Sequence, residues 1–97
     1  MEHLHLYIIF NAKPGCREAF LREFEESGVA AKIRAEQGCV CFDFYSSAQD
    51  DTTLLLIEDW ESEAEQQVHL KQPHMADFRV IREKYIEGFS LKKMKFE

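Results

Sequence analysis

Three side chains able to do chemistry lie within fifteen residues of one another: Trp60, His69 and His74. Trp60 is the chain's one tryptophan, and these are two of its four histidines. A neutral imidazole titrates near pH 6.5 and can take a phenolic or enolic proton at neutral pH. An indole offers a flat face to an aromatic ring and one N–H donor. Of the two histidines, His74 is the better general base by position. It follows Pro73, sits one helical turn from Phe78, and shares the side of that helix that carries Arg82. Histidines at such places also bond helix-end carbonyls, and a tryptophan ending a strand also anchors a core. Both alternatives stand at this point.

The remaining reactive residues offer less. His3 and His5 are two apart on one strand face, a spacing that metals use, but no third and fourth ligand accompany them, so no metal site is expected. Cys39 and Cys41 fall on one face of a strand without redox spacing and read as packing residues. Cys16, near a helix start, reads as a surface thiol.

The elements that must position these groups follow from periodicity. Residues 3–12 alternate, with Leu4, Leu6, Ile8 and Phe10 on one face and His3, His5, Tyr7, Ile9 and Asn11 on the other, as in a strand. Lys13-Pro14-Gly15 breaks it, and residues 16–35 form a helix striped by Phe20, Leu21, Phe24, Ala31 and Ile33, with Gly28 inside the stripe as a point of weakness. Gly38 closes that helix. Strands follow at 39–47 and 52–60, joined by a polar turn at 48–51. A short helix covers 62–71, and a second runs from Pro73 to about Ile86 and is stopped by Gly88. A last strand covers 89–96. Phe10, Phe42, Phe44, Leu56, Phe78 and Tyr85 are the core candidates, some of which would line any cavity. The order β-α-β-β-α-β is the ferredoxin-like split βαβ arrangement, an α+β class with helices on one sheet face. The other face carries Tyr7, Ile9 and Tyr45 and is expected to pack on a second subunit.

Ninety-seven residues make one domain, spanning 1–97, and 45% apolar content is enough for a core. The formal net charge of −6 argues against nucleic acid, because backbone binding needs clustered lysine and arginine, and only Lys92, Lys93 and Lys95 cluster. The acidic run Glu18, Glu23, Glu25 and Glu26 reads as a solvated helix face. No apolar run reaches the length of a membrane span, no secretory signal is visible, and an odd number of cysteines lacks scaffold spacing. A cytoplasmic protein is expected. Gly-rich phosphate loops, dinucleotide fingerprints and nucleophile elbows are missing, so no bound nucleotide or flavin cofactor is expected.

An ordered set of motifs resembles one family. Lys13-Pro14-Gly15, Phe20, Glu36-Gln37-Gly38-Cys39, Phe42 with Tyr45, Glu58-Asp59-Trp60-Glu61-Ser62, and His69-Leu70-Lys71-Gln72-Pro73-His74-Met75-Ala76-Asp77-Phe78 together resemble the antibiotic biosynthesis monooxygenase (ABM) domain. The resemblance implies a dimeric α+β barrel with a ligand cavity between sheet and helices in each monomer. Its members include cofactor-free oxygenases of anthrones and quinols, haem-degrading enzymes and an isomerase of a phosphorylated signalling sugar. In the anthrone oxygenases a tryptophan matching Trp60 lines the site, and an arginine of the last helix matches Arg79 by its spacing from Pro73. Leu56 and Gln66 stand where that subgroup has Asn and Tyr. The stretch from Glu58 to Phe78 looks closest to the quinol monooxygenase branch, and haem lacks a matching axial ligand.

These readings converge on a homodimeric, cofactor-independent monooxygenase that oxidises a small electron-rich aromatic with molecular oxygen. In the expected site Trp60, Phe42, Leu56 and Phe78 hold the ring, His74 or His69 takes the proton, and Arg79 steadies the anion. Two other readings remain. One is an isomerase of a small phosphorylated keto–enol metabolite, with Arg79 and Lys71 on the phosphate. The other is a non-catalytic dimeric binding module, which requires a dry core without a cavity.

Overall fold

A computed structural model describes residues 3–94. The strands are β1 (Leu4–Ala12), β2 (Cys39–Ser46), β3 (Thr53–Trp60) and β4 (Ile86–Met94). The helices are α1 (Arg17–Glu26), α2 (Val29–Arg34), α3 (Glu63–Leu70) and α4 (His74–Tyr85). The four strands form one antiparallel sheet in the order β2-β3-β1-β4, so β3 inserts between β2 and β1 as the split βαβ pattern requires.

Alternation decides which residues meet the helices. On β3, Leu54, Leu56, Glu58 and Trp60 are buried, while Thr53, Leu55, Ile57 and Asp59 between them are only partly covered. On β1, Leu6, Phe10 and Ala12 are buried on the same side. The helices cover this face with Phe20 and Phe24 of α1, Ile33 of α2 and Phe78 of α4. The aromatic rings meet mostly edge to face, as with Phe24 against Phe44 at 5.2 Å and Phe20 against Phe44 at 5.3 Å, the arrangement their quadrupoles favour.

Local chemistry sets the element ends. Ser62 caps α3: its Oγ accepts the Glu65 N–H at 3.3 Å and donates to Glu65 Oε1 at 2.9 Å. Lys13 Nζ donates to the Glu83 and Lys84 carbonyls at the end of α4, a cation where orphan carbonyls gather.

Three expectations need correction. The helix expected over 16–35 is two helices. Gly28 takes φ 87° as the N-cap of α2, a left-handed conformation that breaks the α-helix while its apolar stripe continues. Gly88 does not stop a helix. It pairs with Asn11 inside β4, which begins directly after α4 at Ile86. Cys39 and Cys41 do not share a face. A register shift at Val40 pairs Cys39 with Trp60 and Cys41 with Asp59, so only Cys39 joins the core. Residues 95 and 96 of the expected last strand lie outside the described residues.

Candidate active site

A cavity of about 180 Å³ lies between the sheet and the helices α3 and α4. Leu6, Ile8 and Phe10 of β1, Phe42 of β2 and Leu56 of β3 form its floor. Leu70, Met75 and Phe78 form its roof, and Phe89 and Leu91 of β4 stand at its rim, each about half exposed. Four polar side chains break the apolar lining: Glu58, Gln66, His69 and Arg82. An apolar lining with a few polar groups is the usual make-up of a small-molecule site.

Each polar group has a structural cause. Glu58 stands in phase with Leu56 and Trp60 on the helix-facing row of β3, so alternation alone buries it. Burial pushes its carboxyl above the usual range, opposed by the Trp60 N–H, which donates to Glu58 Oε1 at 3.0 Å, and by nearby His69. Arg82 follows Phe78 by one turn of α4, so its side chain returns over the chamber. Its guanidinium lies 4.5 Å from the centroid of the Phe89 ring and 5.9 Å from that of Phe78. Burial, then the charge of nearby Arg79, push it below the usual arginine value. It remains a cation over aromatic faces.

His69 lies on the inner side of α3 and is 2% exposed. Its ring centroid is 4.6 Å from that of Trp60 and 5.7 Å from that of Phe42. Its Nδ1 lies 2.9 Å from Glu36 Oε2. His74 begins α4 outside the chamber and meets the same carboxylate oxygen, through Nε2 at 2.7 Å. Glu36 and His74 border a separate, open groove of about 590 Å³ that also carries Lys32, Glu65 and Gln72. Glu36 is held there by its loop. Gly38 follows at φ 85° and a side chain at that position would run into Glu65. Cys39 N–H returns to the Glu36 carbonyl at 3.1 Å.

Phe42, Leu56 and Phe78 line the chamber, and so does His69. Trp60 does not. It is fully buried behind His69 and Glu58, where it supports the wall. His74 reaches the chamber only through Glu36, because the first residue of α4 points to the groove. Arg79 is exposed and the cation at the chamber is Arg82, three residues on, because Phe78 is buried and Arg82 follows it at i+4. Glu58 is a further polar wall group that the sequence reading did not single out, and Gln66 is one that it named only as standing in place of a tyrosine. The signal for Glu58 was its phase, a carboxylate in the buried row of an alternating strand. Gln66 carried one too, three residues before His69 on the same helix.

His5 Nδ1 lies 2.6 Å from Asp59 Oδ1 on the open sheet face. Among the described residues no group of three or more His, Cys, Asp and Glu is arranged to hold a metal ion. The Cys39 thiol is pushed up to about 11, by burial first and then by the charge of Glu36, so it is a packing thiol at neutral pH. Among the described residues no helix is long and apolar enough to cross a membrane.

Comparison with known proteins agrees with this architecture. The family model described as "Antibiotic biosynthesis monooxygenase" matches residues 4–80. The chain is 31% identical over 75 residues to YcnE of Bacillus subtilis (strain 168), a protein named as a candidate monooxygenase, covering 77% of this chain and 75% of that one. Among solved structures, PA3566 from Pseudomonas aeruginosa superposes with a TM-score of 0.85 at 26% identity, covering 100% of this chain and 96% of that one. Rv0793 from Mycobacterium tuberculosis superposes with a TM-score of 0.81 at 24% identity, covering 99% and 96%, a likeness of fold. With most of the length matched and the sheet, helices and chamber arranged as described, the chain belongs to the antibiotic biosynthesis monooxygenase family.

Proposed function

We propose that this protein is a cofactor-independent monooxygenase of a small electron-rich aromatic, represented by a hydroquinone. The observation that carries this reading is the chamber itself: apolar walls with one imidazole and one guanidinium on them, in a chain of this family. The ring lies between Phe42, Leu56 and Phe78. His69 takes a hydroxyl proton, a step for which a positioned base contributes roughly 10²–10⁴-fold. Arg82, rather than Arg79, steadies the anion. The electron-rich anion reduces dioxygen directly, the two radicals join at a ring carbon, and the hydroperoxide loses water. Hydroquinone and dioxygen thus give a hydroxyquinone and water. Apolar walls favour this sequence by keeping water from the reactive pair.

A phosphorylated substrate fits less well. The chamber offers a single lysine or arginine, Arg82, and also carries the Glu58 carboxyl, while Lys71 and Arg79 are both exposed outside it. We further infer that two copies pair through the open sheet face, which carries partly covered Tyr7, Ile9, Leu55 and Ile57.

The test is oxygen uptake with a panel of naphtho- and benzohydroquinones, recorded with intrinsic Trp60 fluorescence. Saturable quenching together with uptake above autoxidation is expected. Uptake equal to autoxidation across the panel rejects the oxidation. Quenching by a phosphorylated sugar without uptake supports an isomerase instead.

A further inference from the structure

Outside the chamber stands a buried carboxylate with two imidazoles on one oxygen. Glu36 Oε2 lies 2.9 Å from His69 Nδ1 and 2.7 Å from His74 Nε2. The three side chains are 8%, 2% and 13% exposed. Only one of them, His69, reaches the chamber. We propose that Glu36 is a positioning residue that acts through His69, fixing the ring as its Nδ1–H tautomer so that Nε2 is the unprotonated nitrogen at the chamber. The proposal rests on reading His69 as the base.

The geometry supports each part. An ionised carboxylate only accepts, so His69 Nδ1 must donate to it, and a neutral ring then carries no proton on Nε2. The two nitrogens lie on different edges of the ring, so holding Nδ1 against Glu36 turns Nε2 away from it. His69 makes no other hydrogen bond among the described residues, yet none of their buried side-chain nitrogens or oxygens lacks a partner. Nε2 therefore reaches open space, and the open space His69 borders is the chamber. When the ring takes a substrate proton, the Glu36 charge faces the new imidazolium across a short contact, the arrangement that serves base catalysis in unrelated enzymes. His74 donates to the same oxygen from the groove side and holds the carboxylate in place. Glu58 faces His69 from β3, Cys39 faces Glu36 from β2, and Lys32 and Glu65 border the groove. None of them is bonded to His69.

The experiment is 15N NMR of the histidine rings in the full-length protein, wild type and Glu36→Gln, alongside kcat and KM for hydroquinone oxidation. In wild type at neutral pH, the His69 signals should show protonated Nδ1 and bare Nε2. Glu36→Gln should mix the tautomers and lower kcat about a hundredfold with KM little changed, the scale of a misoriented base. His74→Ala should leave the chamber intact and give a smaller loss of kcat with a partial tautomer shift, which serves as the second variant should Glu36→Gln fold poorly. A wild-type His69 protonated on Nε2, or a tautomer indifferent to both substitutions, overturns the proposal. The ring spectra need no substrate, so a failure to oxidise any hydroquinone counts against the oxidation alone and the tautomer is still decided.

Discussion

At the scale of single residues, the chamber combines an imidazole held from outside with a carboxyl buried within. Glu58 is the clearest case of a charge kept where solvent is scarce. Its folded pKa lies above the ordinary value, chiefly through burial. A carboxyl raised in this way contributes its stability below its unfolded pKa and loses it as pH rises through the folded one. Glu58→Gln keeps an acceptor for the Trp60 N–H and removes the charge. It should therefore be more stable than wild type at pH 8, with the gap closing toward pH 4, measured by denaturant midpoints. Trp60→Phe does the opposite. It leaves Glu58 Oε1 without its donor and should cost about 1–3 kcal/mol. Of the residues singled out by type, His69, Phe42, Leu56 and Phe78 meet the chamber. Helix phase decided the rest. One residue's difference in phase turns Arg79 to solvent, and the first position of α4 turns His74 to the groove.

At the scale of elements, alternation made β1 and β3 legible, and Pro73 marked where α4 begins. Two irregularities were not legible, for physical reasons. The apolar stripe of Phe20, Phe24 and Ile33 runs unbroken across α1 and α2, so periodicity cannot reveal the backbone turn at Gly28. The bulge at Val40 depends on how β2 must bend to bring Cys39 beside Trp60, and no residue type signals it. Gly28 gives a direct test. A methyl group there would meet nothing within 4 Å, so any cost of Gly28→Ala comes from φ 87° alone. That substitution should lower stability by about 1–2 kcal/mol without changing the chamber. No measurable loss would show that α1 and α2 are free to adjust at this joint.

At the scale of the whole molecule, the chain is thin, with extents of 41 × 32 × 17 Å. One helical layer covers one sheet face, and the opposite face leaves Tyr7, Ile9, Leu55 and Ile57 partly covered with Tyr45 54% exposed. This is the face through which we infer that two copies pair. Pairing of two copies predicts a dimer by sedimentation equilibrium, and Ile57→Glu, on that face, should shift it to monomer. A wild-type monomer at assay concentrations contradicts the pairing. Composition and motif order made the family and the two-layer fold legible before any coordinates. The substrate was not legible, because the chamber's shape arises from side chains on all four strands and two helices.

The most direct measurement compares oxygen consumption by wild type and His69→Gln with one hydroquinone that quenches Trp60. Both proteins should bind it with similar affinity, and the substitution should reduce turnover about a hundredfold. Equal turnover in the two proteins, with binding intact, would remove His69 from the chemistry and contradict the chamber as an acid–base site.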